Sequence, residues 1–275
     1  MSHDVTLAIL AGAGEFPLHV ACEARRQGRR VIGFGIAGWA DASLASHVDV
    51  YEEVAIGQLG RLIERLKAHQ ARQMVMAGKV TKEVLLHATE SFDAEALAIV
   101  VRAGGNMSAP ALLGAVGKRL SREGVTLIDS SAFLKESLCP AGILTARRPT
   151  PSEEDDIHLG ARAARTMAGL DVGQTVVVRH GVIVAVEALE GTDAAVQRAG
   201  QLVGPGSVVV KTGAPKQDRR FDLPVVGVST IQVMAAAGAT CLAVEAGTTL
   251  LLDRPAVLEA AKQATISVVG LRLKS

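Results

Sequence analysis

Leu7-Ala8-Ile9-Leu10-Ala11-Gly12-Ala13-Gly14-Glu15-Phe16-Pro17 decides how the rest of the chain is read. Leu7–Leu10 is a short aliphatic run without charge, which suits a strand buried on both faces. Gly12-Ala13-Gly14 then allows a tight turn, and Pro17 suits the first turn of a helix. A strand entering a glycine turn and then a helix presents free N–H groups and a positive dipole end, which is a seat for phosphate. As a dinucleotide fingerprint the stretch is defective: Pro17 takes the third glycine position, Glu15 would face the anion, and no acid ends the next strand. Packing of helix on strand explains the turn equally well. A nicotinamide cofactor and a uridine or sugar nucleotide both stay open at this edge.

Working outward, Val31–Ile36, Met74–Ala77 and Val125–Ile128 read as further strands. Leu59–His69 has apolar residues at Leu59, Leu62, Ile63 and Leu66, a helical stripe, and Ala94–Ala103 and Pro110–Arg122 are two more helices. Strands alternating with helices predict a Rossmann-like α/β domain with a parallel sheet over residues 1–138. Cys139–Pro151 holds three prolines, two adjacent arginines and no periodicity, and reads as a linker. Residues 152–275 form a second α/β domain. Ser152-Glu153-Glu154-Asp155 supplies a cap and first-turn acids for a helix running to Gly169. Gln174–Arg179 and Val182–Glu187 flank His180-Gly181, a two-residue hairpin. Val208–Lys211, Val225–Val228, Leu242–Val244 and Ile266–Val269 are strands, with helices at Asp193–Ala199, Ile231–Ala237 and Pro255–Gln263. The second sheet is therefore expected to be mixed.

Composition narrows the function. The 275 residues are 49% hydrophobic and carry 29 basic against 28 acidic side chains. That excludes disorder, and a pI near 7.8 with seven aromatic residues argues against a nucleic-acid groove. Cys22, Cys139 and Cys241 are widely spaced and give neither a disulfide framework nor zinc spacing. The start, Met1-Ser2-His3-Asp4, has no signal-peptide pattern, so a cytoplasmic enzyme is expected. Leu223–Val244 is uncharged and long enough to span a bilayer, but Pro224, Gly227, Ser229 and Gly238 divide it into strand, Ser-capped helix and strand.

Two further segments carry candidate chemistry. In Lys211-Thr212-Gly213-Ala214-Pro215-Lys216-Gln217-Asp218-Arg219-Arg220-Phe221-Asp222-Leu223-Pro224, acids and bases crowd a loop between apolar strands. Carboxylates can hold Mg²⁺, while lysine and arginine take phosphate charge. A solvated loop of compensating charges is the competing reading. Asp222 stands at the mouth of a strand, where sites in α/β proteins lie. In Val186-Glu187-Ala188-Leu189-Glu190-Gly191-Thr192-Asp193, two acids leave an apolar run, and Thr192 or Asp193 would cap the next helix. Val244-Glu245-Ala246-Gly247 has a similar form, and the histidines show no metal-ligand spacing.

Together with Gly57-Gln58-Leu59-Gly60, Met76-Ala77-Gly78-Lys79-Val80 and Leu170-Asp171-Val172-Gly173-Gln174, the Gly12–Pro17 turn, Glu187–Asp193, Asp222-Leu223-Pro224 and Glu245-Ala246-Gly247 resemble the LpxI-type UDP-2,3-diacylglucosamine pyrophosphatases. The resemblance spans nearly the whole chain. It departs at Gly104–Leu113, where an acidic pair followed by leucines would fit the family pattern. It implies a Mg²⁺-dependent hydrolase of lipid A biosynthesis that cleaves UDP-2,3-diacylglucosamine into UMP and 2,3-diacylglucosamine 1-phosphate. The implied catalytic residue is Asp222. The expected metal ligands are Asp222, Asp218 and Glu187, and the expected substrate contacts are Gly12, Gly14, Lys79, Glu190, Gly191, Thr192, Lys211 and Gln217. A lipid substrate further implies transient contact with the inner-membrane surface without a spanning helix, and a homodimer is left open. The competing classes are a non-catalytic nucleotide- or lipid-binding protein and, through the glycine turn, a nicotinamide oxidoreductase.

Overall fold

The computed structural model describes residues 6–80, 92–102, 108–215, 218–221 and 223–273, without the side chains of 109 and 110. The chain divides into two compact units, one of residues 1–134 with 218–222, the other of residues 135–217 with 223–275.

The first unit is built on five strands, β1 (Leu7–Ala11), β2 (Val31–Ile36), β3 (Val50–Val54), β4 (Gln73–Ala77) and β5 (Thr126–Leu127). They form a parallel sheet in the order β3-β2-β1-β4-β5, so strand order reverses between β1 and β4. Its helices are α1 (Phe16–Arg26), α2 (Leu59–Ala68), α3 (Ala94–Arg102) and α4 (Ala109–Arg122). The stripe Leu59, Leu62, Ile63, Leu66 on α2 is buried against Ile32, Phe34 and Met74, as the helical spacing requires. Sequence reading missed β3 because Tyr51, Glu52 and Glu53 interrupt its apolar pattern. It is an edge strand, where charges are tolerated and discourage pairing with other chains. Glu52 is used: Arg65 of α2 grips its carboxylate at 2.6 and 2.7 Å, fastening helix to sheet edge.

In the second unit, β6 (Gly142–Ile143), β7 (Thr175–Arg179), β8 (Val182–Val186), β9 (Val208–Lys211), β11 (Cys241–Glu245) and β13 (Ser267–Leu271) form one sheet in the order β6-β13-β11-β9-β7-β8. β9, β11 and β13 are parallel, whereas β6, β7 and β8 run antiparallel to their neighbours, giving the mixed sheet expected. β10 (Val225–Val226) pairs with β12 (Leu250–Leu251) in a separate parallel ladder. The helices are α5 (Pro151–Gly169), α6 (Thr192–Val203), α7 (Val228–Ala236) and α8 (Arg254–Gln263). The hairpin reading holds: His180 and Gly181 both have positive φ, and buried Asp156 accepts both their N–H groups at 2.9 and 2.6 Å.

Two caps differ from expectation. Thr150, and not Ser152, caps α5, in a capping box with Glu153, because Pro151 already fills the first helical position. α7 starts at Val228, which the sequence assigned to a strand, and is capped by Gly227 and not by Ser229. Within the proline-rich stretch 139–151, Gly142–Ile143 pairs with β13. Arg147 there donates to the Thr240 carbonyl, the Ser267 hydroxyl and both oxygens of buried Glu153. No helix among the described residues is long and apolar enough to cross a membrane.

Candidate functional site

In a doubly wound parallel sheet, ligands settle outside the carboxyl ends of the strands where strand order reverses. In the first unit that point lies between β1 and β4. The turns leaving these two strands lock together there: Ala13 and Lys79 exchange both backbone hydrogen bonds at 2.9 and 2.8 Å, and Gly12 N–H donates to the Ala77 carbonyl at 2.8 Å. Gly12, Gly14 and the backbone of Lys79 are thus brought together, but the two glycines differ. A Cβ on Gly12 would lie 2.6 Å from the Lys79 carbonyl oxygen, so packing alone demands glycine there. Gly14 has φ +91° and no heavy atom within 4 Å of an added Cβ. Its glycine is demanded by backbone conformation, and it borders open space. The Lys79 side chain is exposed.

The segment 218–221 belongs to this same unit although it comes from the second half of the sequence. Buried Ser130, just past β5, holds it: Ser130 N–H donates to the Arg219 carbonyl at 3.0 Å. Its hydroxyl is shared between the carbonyls of Met76 (2.8 Å) and Arg220 (3.1 Å). Arg219 pairs with Asp129 at 3.1 Å and donates to Ser131. Phe221 packs on the core beside Gly117. Asp218 is exposed and forked by Arg220 at 2.9 and 2.6 Å, which holds its carboxyl below the usual range. Asp222 and Gln217 lie outside the described residues, as do Gly104–Met107 of the family departure. Sequence reading missed Asp129, Ser130 and Ser131. Their signal was there, three polar residues at the end of the apolar run Val125–Ile128.

In the second unit, polar groups gather where β9 ends. Lys211, buried, donates from Nζ to the Thr192 hydroxyl at 2.8 Å and lies 3.4 Å from that of Thr175. Thr192 in turn donates to Glu187 Oε1 at 2.9 Å, and Gln174 N–H donates to Oε2 at 3.2 Å. Burial pushes the Glu187 carboxyl up, but the Lys211 charge and hydrogen bonds from Thr175, Thr192 and Gln174 outweigh it, leaving a net lowering. Gly191 (φ +82°) precedes α6 without a side-chain cap, so the positive end of that helix opens beside Thr192. Three expected residues, Glu187, Thr192 and Lys211, therefore form one cluster. Thr175, which the ladder places opposite Lys211, was missed. Glu190 stands apart, exposed and paired with Arg198 at 2.8 Å. Glu245 accepts from Arg165 and from Gly213 N–H, a fastening of loop to helix.

A magnesium ion takes one or two carboxylates and completes its shell with water and phosphate. The expected ligands Asp218, Asp222 and Glu187 are carboxylates, the donor type that demand asks for. Two of these carboxylates already have both oxygens engaged, Asp218 by Arg220 and Glu187 by Thr192 and Gln174 N–H, so either would have to share or release these donors to bind the ion. Among the described residues no three His, Cys, Asp or Glu side chains cluster as a metal centre.

Glycine turns at the carboxyl ends of the parallel strands β1 and β4, and a buried lysine at the carboxyl end of β9, stand where open α/β sheets take their ligands. The chain belongs to the LpxI family: the LpxI N-terminal domain matches residues 6–137 and the LpxI C-terminal domain residues 140–269. A curated relative, the UDP-2,3-diacylglucosamine pyrophosphatase LpxI of Caulobacter vibrioides, is 31% identical over 277 residues, which is 96% of this chain and 97% of that protein. Solved structures align only weakly. The biotin carboxylase–β,γ-ATP complex from Campylobacter jejuni reaches a TM-score of 0.28 at 12% identity, over 72% of this chain and 42% of that one. The biotin carboxylase domain of a thermophilic 2-oxoglutarate carboxylase gives 0.28 at 10%, over 62% and 34%.

Proposed function

We propose that this protein hydrolyses the pyrophosphate bond of UDP-2,3-diacylglucosamine in lipid A biosynthesis, releasing UMP and 2,3-diacylglucosamine 1-phosphate. The observation that carries the reading is the end-to-end match to the Caulobacter enzyme. The reaction adds one water across a phosphoanhydride: a P–O bond forms to the water oxygen, the bridging P–O bond breaks, and the products share the water protons. Bound Mg²⁺ would neutralise phosphate charge and lower the pKa of the attacking water. Asp222 and Asp218 are the residues we assign to hold it. The open edge at Gly14 admits a phosphate close to backbone, and Lys211 with Thr192 offers a second anion contact. The substrate's acyl chains place the protein at the cytoplasmic face of the inner membrane through transient contact.

The test is incubation of the purified protein with UDP-2,3-diacylglucosamine, with Mg²⁺ or with EDTA, followed by ³¹P NMR. UMP and the sugar 1-phosphate should appear in Mg²⁺ alone. Binding without turnover would turn the assignment to a carrier, and no binding would end it.

A further inference from the structure

The two faces of the second unit's main sheet are covered differently. On one face, Val209, Leu242 and Val244 pack with residues of α6, α7 and α8. On the other, Val208, Val210 and Ala243 pack with Ile157 and Ala161 of α5. Beside α5 on that second face, Val269 and Leu271 of β13 and Leu273 just beyond it are only half-buried. A cleft of about 270 Å³ opens there, lined by His158, Ala161, Arg162, Arg165 and Leu273. His158, Arg162 and Arg165 stand at i, i+4 and i+7 on α5, which puts them on one face of the helix. Arg165 is occupied, donating to Glu245 at 3.1 Å. Among the described residues, the exposed side chains of His158 and Arg162 have no hydrogen bond or ion pair. A solvated helix face would account for these two side chains alone. It does not account for the aliphatic strip left half-open beside them.

We propose that this cleft is a binding site for an oxyanion carried on a short aliphatic chain. Arg162 and His158 hold the head, and the chain lies over Ala161 and Leu273. The site is separate from the anion contact at Lys211. Side chains alternate along β9, so Lys211 leaves the sheet on the Val209 face, where it meets Thr192 of α6, whereas the cleft lies on the Val210 face. The proposal therefore stands independently of the pyrophosphatase reading.

The experiment is calorimetric titration of octanoate and of octyl phosphate, two heads on one chain, into the full-length protein. Both should bind, and the tighter of the two names the head. Butanoate should bind on the order of a hundredfold more weakly than octanoate, at about fourfold per buried methylene. Octanol, which lacks the charge, should bind about tenfold more weakly, and Arg162→Gln should weaken octanoate by about the same factor. His158→Gln, also at an exposed position, supplies the comparison should Arg162→Gln fail to fold. Saturating UMP should leave octanoate binding unchanged. Absence of binding by both amphiphiles, or octanoate held no more tightly than butanoate or octanol, would overturn the proposal. So would wild-type affinity in both variants, and displacement by UMP would move the ligand to the nucleotide site and overturn it as well.

Discussion

Gly12→Ala separates packing from ligand binding at the switch point of the first sheet. The added Cβ would lie 2.6 Å from the Lys79 carbonyl oxygen and 3.0 and 3.1 Å from the carbonyl carbons of Lys79 and Gly78. All three are backbone atoms, so no side-chain rotation relieves the clash. The reverse holds as well, since a Cβ on Gly78 would lie 2.8 Å from the Gly12 backbone. To admit the methyl group the two turns must part, stretching the paired bonds between Ala13 and Lys79. Overpacking of about 1–3 kcal/mol, with one or two backbone hydrogen bonds at about 1 kcal/mol each, gives a loss of about 2–5 kcal/mol. For a chain of this size that lowers Tm by about 5–10 °C. Differential scanning calorimetry reads the shift, with Gly114→Ala as control. Gly114 lies inside α4, has nothing within 4 Å of an added Cβ, and should gain about 0.5–1 kcal/mol. A Gly12→Ala protein melting within about 2 °C of wild type would refute the interlock. Its glycine would then have to be explained by ligand approach.

Asp222→Ala should lower kcat about a hundredfold with substrate still bound, and Asp218→Ala should cost less because Arg220 already occupies its carboxylate; steady-state kinetics on both variants decides. Ser130→Ala leaves the Met76 and Arg220 carbonyls without their shared donor, and should cost about 1–2 kcal/mol in a urea melt while lowering kcat more than it raises KM. Unchanged kcat would mean that the loop keeps its place without this serine. Hydrogen bonds from Arg65 hold the Glu52 carboxyl at about 2, against burial and with help from His69, where 4.5 is its ordinary value. A depressed carboxyl stabilises the fold above the unfolded value and loses that contribution as pH falls toward the folded one. The stability gap between wild type and Glu52→Gln should therefore be widest near neutrality and close between about pH 4.5 and 2, as followed by urea melts. A gap constant with pH would exclude the ion pair as its source.

Among the strands that were legible, β1, β9 and β11 are apolar over all or most of their length and almost wholly buried, so composition agrees with tertiary demand. β3 was illegible because an edge strand may carry Glu52 and Glu53 without penalty. β6 and β12, two residues each, have no period at all. At the site, Glu187 and Thr192 could be read as neighbours within one turn, and Lys211 as the end of a strand. Their union depends on β7 lying between β8 and β9, which only the register reveals. The clamp of Ser130 on Arg219 and Arg220 joins residues some ninety positions apart, and no local pattern announces it.

The membership of residues 218–222 in the first unit sets an order of events during synthesis. The ribosome finishes residue 134 and then makes about 80 residues of the other unit before that loop emerges, a delay of roughly 4–16 s at ordinary elongation rates. Through that interval Ser130 has no carbonyl of Arg219 or Arg220 to meet. The N-terminal unit is begun first but is closed only after residues 135–217 of the other unit have been made. A gene split after codon 134 would yield a fragment lacking its own clamp partner, and pairing it with the remainder would have to restore the loop by association in trans.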